Sequence, residues 1–344
     1  MSMTPRDRVL AQINHRETDH VPYNLAFEGD VPERLDVHYG SSRWRDLLVN
    51  HIRRIPSPNL VVDTTGGDVV RCPYGSLWQV NRRPFHLVRP ALDMPSLKGF
   101  VWPDLDVLFD EAWRSEATEQ ALASQESLTV AGFGFGLFER TWTLRGFSEA
   151  LMDAAGDPAF YEELVEAVVE HQMEILERLL SLPVDGIMFS DDWGYQEGVL
   201  LGPDRWRRFI KPRLRRMYER VHAAGKLTLS HCCGSVSHIL ADIIEIGLDV
   251  LESVQPEARG MDPFALKREF GRDITFWGGL GSQSTIPHGT PDEIKQAVAR
   301  LCGTMGQGGG FILGPAKALQ PETPTENAAA VIEAFLAEAG VRWP

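Results

Sequence analysis

The run "LSHCCGSVSHIL", residues 229–240, brings His231, Cys232, Cys233 and His238 together directly after an apolar stretch with the character of a strand. Side chains on a strand alternate between its faces, so His231 and Cys233 point one way and Cys232 the other. A histidine and a cysteine aimed together have the donor types of a zinc pair, and a catalytic zinc needs one further protein ligand and an open position. The alternative is a hydrogen-bonded core histidine in a buried turn. In either case Cys232 reads as a small apolar side chain against a helix layer, and His238 as structural, on the helix that follows.

Two further groups end strand-like runs. Asp191 and Asp192 also alternate, so one of them faces inward as a metal ligand, a general base or an acceptor that orients a ligand, while the other caps the loop "WGYQEG". Gly278, Gly279 and Gly281, followed by Gln283, permit close backbone approach by a bulky cofactor or serve only a tight turn. "GGFILG" has neither the glycine spacing of a dinucleotide fold nor a P-loop lysine, which disfavours a nucleotide.

The elements that must position these residues are short β-like runs separated by helical patterns: "HVPYNLAF", "NLVVDTT", "LTVAGFGFG", "GIMFSDDWG", "LTLSHCCG", "VLESVQP", "ITFWGGLG" and "GGFILGPA". That is about the eight of a (β/α)8 TIM barrel, an α/β fold whose chemistry gathers at the C-terminal ends of its strands. Those ends carry Asn24 and Glu28, Asp63, Glu139 and Arg140, Asp191 and Asp192, His231 and Cys233, Glu252 and Gln255, Gln283, then Pro315 and Lys317. "TPDE" at 290–293 and "TPTE" at 323–326 read as capping boxes that start helices. No linker divides the chain, so residues 1–344 are expected to form one domain. Residues 66–127 are the least periodic, and "RCPYGSLWQVNRRPFHLV" within them has the alternation of a covering hairpin.

With 48 acidic against 34 basic side chains the net charge is -14, which opposes nucleic acid and anionic membranes. The arginines of "RWRRFIKPRLRR" have the spacing of the wet face of a helix. No apolar stretch approaches the roughly 20 residues of a membrane span, and "MSMTPRDRVL" lacks the core of a signal peptide. Four cysteines, two of them adjacent, fit a reducing compartment, so a cytoplasmic location is expected.

These residues carry a resemblance that runs through nearly the whole chain, in "TPRDRVLAQINHRETDHVP", "FERTWTLRGFSEAL", "SDDWGYQEGVLLGPDRWRRFIKPRL", "LSHCCGSV", "GLDVLESVQPEARGMDPFALKREFG", "FWGGLGSQSTIPHGTPDEI" and "GGFILGPAKALQPETPTENAAAVIEAF". The sequence resembles the uroporphyrinogen decarboxylase superfamily, and within it the branch of cobalamin-dependent methyltransferases. True decarboxylases of that kind carry an arginine-bearing loop after the first strand, whereas "YNLAFEGDVPE" has acids and no arginine. The resemblance to the methyltransferase branch implies zinc on His231 and Cys233, with a third ligand, usually cysteine, after the eighth strand. Here that place is taken by Lys317, and a protonated lysine cannot ligate zinc. Either another residue completes the site, Glu252 first and Asp192 next, or the metal has been lost. Lys317 is then expected to bind an anionic group of the substrate, its charged form favoured by Asp191, Asp192 and Glu252, rather than to act as a neutral base.

The resemblance implies methyl transfer between a cobalamin carried by a partner corrinoid protein and a small methylated substrate, or a thiol or folate acceptor. A homodimer is one assembly option. Two rival readings remain: a decarboxylase or lyase using Asp191 or Asp192 with Lys317, and a barrel that binds a tetrapyrrole without chemistry.

Overall fold

The computed structural model of the chain describes residues 3–58 and 67–341. In chain order its strands are β1 (Ile52–Ile55), β2 (Val69–Arg71), β3 (Leu77–Gln79), β4 (His86–Arg89), β5 (Leu128–Phe135), β6 (Gly186–Ser190), β7 (Gly194–Tyr195), β8 (Gly198–Val199), β9 (Leu227–His231), β10 (Val250–Val254), β11 (Thr275–Leu280) and β12 (Phe311–Pro315). Seven of them form one parallel sheet in the order β1-β5-β6-β9-β10-β11-β12, joined through helices, which is the right-handed βαβ logic of a TIM barrel.

The eighth stave is the segment 20–27, and it closes the barrel without a regular ladder. On one side it bridges β12 in parallel, Tyr23 opposite Leu313 and Phe27 opposite Leu319. Toward β1 the bonding passes largely through side chains. Asn50 Oδ1 accepts from Leu25 N at 2.8 Å and its Nδ2 donates to Leu25 O at 2.8 Å, while Asn24 Oδ1 accepts from Ile52 N at 3.1 Å. Two asparagine amides thus satisfy backbone groups that a ladder would otherwise pair.

Alternation sorts the barrel interior into tiers. Ile52, Val130, Met188, Leu229, Val250 and Ile312 form an apolar layer with Val9, and Leu10 and Ile13 pack beside it, so the helix Pro5–Ile13 plugs the N-terminal end. That helix starts at a capping box, Thr4 with Asp7, and is pinned by Arg8 to Asp19 at 2.6 Å. Two positions further along the strands the inward residues are Arg54, Gly132, Ser190, His231, Glu252 and Gly314. Register sets Ser190 beside His231, His231 beside Glu252, and Glu252 beside Trp277. An apolar floor therefore carries a polar tier at the C-terminal mouth.

Several sequence expectations change. The strand expected at "NLVVDTT", residues 59–65, lies outside the described residues, and the second stave is β1, seven residues earlier at its start. "TPTE" forms no capping box: the helix Thr325–Glu338 begins after Pro324 with no side-chain cap, and the Thr323 carbonyl accepts from Arg34 Nη1 at 2.9 Å instead. "TPDE" does form one, with Thr290 and Glu293 bonded reciprocally. Residues 69–89 build a three-stranded antiparallel sheet rather than a lone hairpin. The arginine-rich run lies on a helix face paired to acids of neighbouring helices, including Lys211 to Asp242 at 2.6 Å and Arg216 to Glu166 at 2.7 Å. No helix among the described residues is long and apolar enough to cross a membrane.

Leu229 is fully buried in the floor. Leu229→Ala should cost about 3 kcal/mol in chemical denaturation, the range for a core leucine replaced by a cavity. The hydrogen bond from Arg8 holds the Asp19 carboxyl down at about 2, against partial desolvation. A depressed carboxylate stabilises the fold above its ordinary value near 3.8, and that contribution fades as pH falls through 2. Asp19→Asn should therefore destabilise by only about 0.5–1 kcal/mol at pH 7, since Asp19 is partly exposed, and by nothing at pH 2.

Candidate active site and metal centre

His231 ends β9, and the strand stays regular to that point, so the alternation holds: His231 and Cys233 are half-buried at the mouth while Cys232 is fully buried behind them. Glu252 Oε2, from β10, lies 2.5 Å from His231 Nδ1. The other ring nitrogen, Nε2, stands 3.5 Å from Asp192 Oδ1. Ligand atoms of Asp192, His231 and Cys233 all lie within 4.8 Å of one another. Asp192 Oδ1 is itself fixed by the Cys233 backbone N–H at 3.0 Å. The loops after β6 and β9 meet closely enough to allow this because Gly234, at φ +78°, has no Cβ: one would lie 2.7 Å from the Gly194 carbonyl carbon.

The donor set fits zinc. One oxygen, one nitrogen and one sulfur converge, and the carboxylate on Nδ1 fixes the ring with Nε2 toward them, an outer carboxylate–histidine contact of the kind that supports metal sites. Glu252, expected to be the first candidate for the third ligand, is occupied by that contact. Asp192, rather than Glu252, lies with His231 and Cys233 as a group that could hold a metal ion. Desolvation pulls His231 down, but Glu252, the Cys233 side chain and Asp192 outweigh it and hold the ring well above its ordinary value. A metal entering here displaces a proton.

Asp191, the other half of the acid pair, does something different. It is buried, and it accepts from Phe138 N at 2.9 Å, Glu139 N at 2.8 Å and Trp193 Nε1 at 2.6 Å. The first two are free N–H groups in the first turn of the helix Leu137–Arg145, so Asp191 caps that helix from across the barrel wall. Gly136 makes room, since a Cβ there would sit 2.3 Å from the Asp191 Cβ. Burial pushes Asp191 up to about 7, against the pull of its donors. Glu139 beside it is also buried, and burial together with the charges of Asp191 and Asp192 raises its carboxyl well above the usual range. The three groups bonded to Asp191 all donate to it, and Glu139 is the other carboxyl at this junction. Its place just after β5 is visible in the sequence, but its state follows only from burial.

The remaining expected residues lie apart from the triad. A Cβ on Gly278 would meet Val254 N at 2.8 Å, and one on Gly279 would meet Leu301 Cδ2 at 3.2 Å. Both glycines thus serve strand and helix packing rather than an opening toward a ligand. Gln283 is exposed, accepting from Gln196 Nε2 at 3.2 Å. Lys317 is exposed at the end of β12, its backbone N–H on Ser282 Oγ at 2.9 Å. A groove of about 650 Å³ beside β2–β4, lined by residues such as Arg71, Tyr74 and Phe100, holds none of these groups. A residue missed by sequence reading is Arg54, inward on β1; its only signal is a charged pair, "RR", inside "HIRRIP", which resembles a loop more than a strand.

Comparison with known proteins places this arrangement. The family model described as uroporphyrinogen decarboxylase (URO-D) matches residues 113–337. The methylcobamide:CoM methyltransferase MtaA of Methanosarcina barkeri is 28% identical over 178 residues, covering 51% of this chain and 48% of that protein. The uroporphyrinogen decarboxylase of Thermus thermophilus is 27% identical over 182 residues, 52% of this chain and 49% of that one, so the chain spans about half the length of these two relatives. The uroporphyrinogen decarboxylase of Coxiella burnetii is 24% identical over 304 residues, 84% and 75% of the two chains. A solved structure described as a methyltransferase from Methanosarcina mazei shares the fold, with a TM-score of 0.72 at 22% identity over 97% of this chain and 98% of that one.

The two adjacent aspartates should separate experimentally. Asp191→Ala leaves three buried N–H donors without an acceptor and should cost about 3 kcal/mol or more in thermal or chemical unfolding. Asp192→Ala, at the wet mouth, should stay within about 1 kcal/mol of the parent.

Proposed function

The chain belongs to the uroporphyrinogen decarboxylase family, and from that footing we propose that it is a methyltransferase moving a methyl group between a corrinoid carried by a partner protein and a small methylated substrate, or a thiol or folate acceptor. Zinc held by Asp192, His231 and Cys233 assists. The observation that carries this reading is the convergence of those three ligand atoms within 4.8 Å at the barrel mouth. Bound there, zinc supplies Lewis acidity, which lowers the pKa of a thiol or alcohol and makes an ether oxygen a better leaving group.

The chain's own side chains supply the rest. Glu252 holds His231 in the tautomer that offers Nε2. Asp192, braced by the Cys233 backbone, fixes the spacing of the group. Glu139, whose buried carboxyl is raised and lies within reach of the charges of Asp192 and His231, would serve as a proton donor to a leaving oxygen. Gly194 and Gly234 let the loops that carry Asp192 and Cys233 pack directly on each other.

Decarboxylation of a poly-acid is disfavoured by the same charges. The segment "YNLAFEGDVPE" has no arginine, and Asp192 and Glu252 would repel a substrate with many carboxylates. A decarboxylase or lyase is the second reading, favoured by one feature, the buried Glu139 carboxyl raised well above its usual range, which would serve as a proton donor.

Purified chain should contain close to one zinc. His231→Ala, Cys233→Ala and Asp192→Ala should lose it, Cys232→Ala should keep it, and Glu252→Gln should weaken it about 10–100-fold. Transfer of methyl from methylcobalamin to a thiol, followed by the cobalamin absorbance, should stop on zinc removal and return on its addition. Absence of metal even after reconstitution sinks the zinc assignment. Coproporphyrinogen formed from uroporphyrinogen at an enzymatic rate favours the second reading.

A further inference from the structure

Arg54 stands in the tier of His231 and Glu252, two residues along β1 from the floor residue Ile52. Counting staves, β10 lies four from β1 in a ring of eight, so Arg54 and Glu252 face each other across the lumen. The neighbouring stave makes room for the guanidinium in a specific way: a Cβ on Gly132 of β5 would sit 2.6 Å from Arg54 Nε, 3.1 Å from Nη2 and 3.3 Å from Cζ. The arginine head therefore lies along β5 where a side chain is missing. Less exposed arginines elsewhere are matched with acids, such as Arg145 with Asp153 at 2.8 Å and Arg213 with Glu166 at 2.9 Å. Arg54 is exposed to solvent and, among the described residues, has no hydrogen-bond or ion-pair partner. Glu252 is near enough to act on its charge but is bonded to His231. Five donors in a planar fork are thus presented to the lumen unused.

The surroundings narrow the ligand. The floor below is aliphatic. Trp277, half-buried in the same tier, lies against Gly314, where a Cβ would come 2.9 Å from its Nε1. The interior of such a barrel is filled by side chains, so a ligand sits at the mouth, above the floor. Asp192 and Glu252 at the mouth penalise a dianion, which favours a carboxylate over a phosphate.

We propose that Arg54 is the anion-recognition residue of the lumen, and that the substrate is a small monocarboxylate with a flat apolar body, its carboxylate paired with the guanidinium and its far end presented to Asp192, His231 and Cys233. The statement of which end reacts rests on the methyl-transfer reading; the pairing itself does not. Lys317 differs in kind, since its ammonium is a flexible point charge on the outer rim, whereas the guanidinium is a planar fork matched to a carboxylate.

The test is equilibrium binding, independent of any turnover. The probes are 4-methoxybenzoate and its neutral counterpart 4-methoxybenzamide, titrated into the purified chain by calorimetry and by tryptophan fluorescence. The parent should bind the acid about tenfold or more tighter than the amide, the scale of a charge-assisted bidentate pair. Arg54→Met should bring the acid to the level of the amide while leaving zinc content unchanged, and Arg54→Lys should recover part of the preference. Gly132→Ala alters no charge but displaces the guanidinium, and should also reduce the preference. A parent that binds the acid no tighter than the amide overturns the proposal. So does a preference that survives Arg54→Met, or one removed by Lys317→Met instead. If methyl transfer is never observed but the preference exists and vanishes in Arg54→Met, the pairing stands and the functional reading falls.

Discussion

An imidazole has two nitrogens, and Glu252 takes one of them. The 2.5 Å contact to Nδ1 leaves Nε2 as the only nitrogen His231 can offer at the mouth, and every other feature of the site is arranged around that direction. Asp192 and Cys233 approach from the side that Nε2 faces. Had the contact been absent, the ring could present either edge, and the same three side chains would not share a focus. The interaction depends in turn on strand register, because β9 and β10 place His231 and Glu252 side by side. A slip of one residue would turn both to the helix layer.

The adjacent aspartates show how one strand end divides labour. Asp192 faces the open mouth and remains wet. Asp191 faces the wall, and its two oxygens collect three N–H groups that join β6 to the helix Leu137–Arg145. That junction carries Glu139, so the structural aspartate helps set the position of the acid beside the site, while burial and then the charge of Asp191 raise its carboxyl. Burial of charge is tolerated here because the helix terminus supplies compensating donors.

Much of this was legible in the sequence. The barrel follows from the alternation of strand and helix signals, and the shared face of His231 and Cys233 follows from period two on a regular strand. The choice between Glu252 and Asp192 was not legible, because it depends on which ring nitrogen each approaches. Gly278 and Gly279 read as room for a cofactor, but a missing Cβ does not say which neighbour needs the space; here Val254 and Leu301 do. Arg54 was hidden for the opposite reason: a strand whose inward residue is charged breaks the hydrophobic pattern by which strands are found. TIM-barrel strand ends violate local rules where ligands are handled, and the stave with the weakest strand signal carries the inward-facing Arg54.

The closing stave has a consequence in time. Residues 20–27 are among the first of this sequence to be synthesised, yet Tyr23 and Phe27 find their strand partners at Leu313 and Leu319. Nearby, Arg34 donates to the carbonyls of Pro321 and Thr323, and the plug helix rests partly on Ile312. Chain emerging in order thus exposes an early segment whose backbone groups and apolar side chains wait for a late one. Until the last stave arrives, the unfinished barrel has two open edges, and each is a template for strands of another molecule. A ring closed by its own two ends trades the permanent edges of an open sheet for a vulnerability that lasts as long as translation.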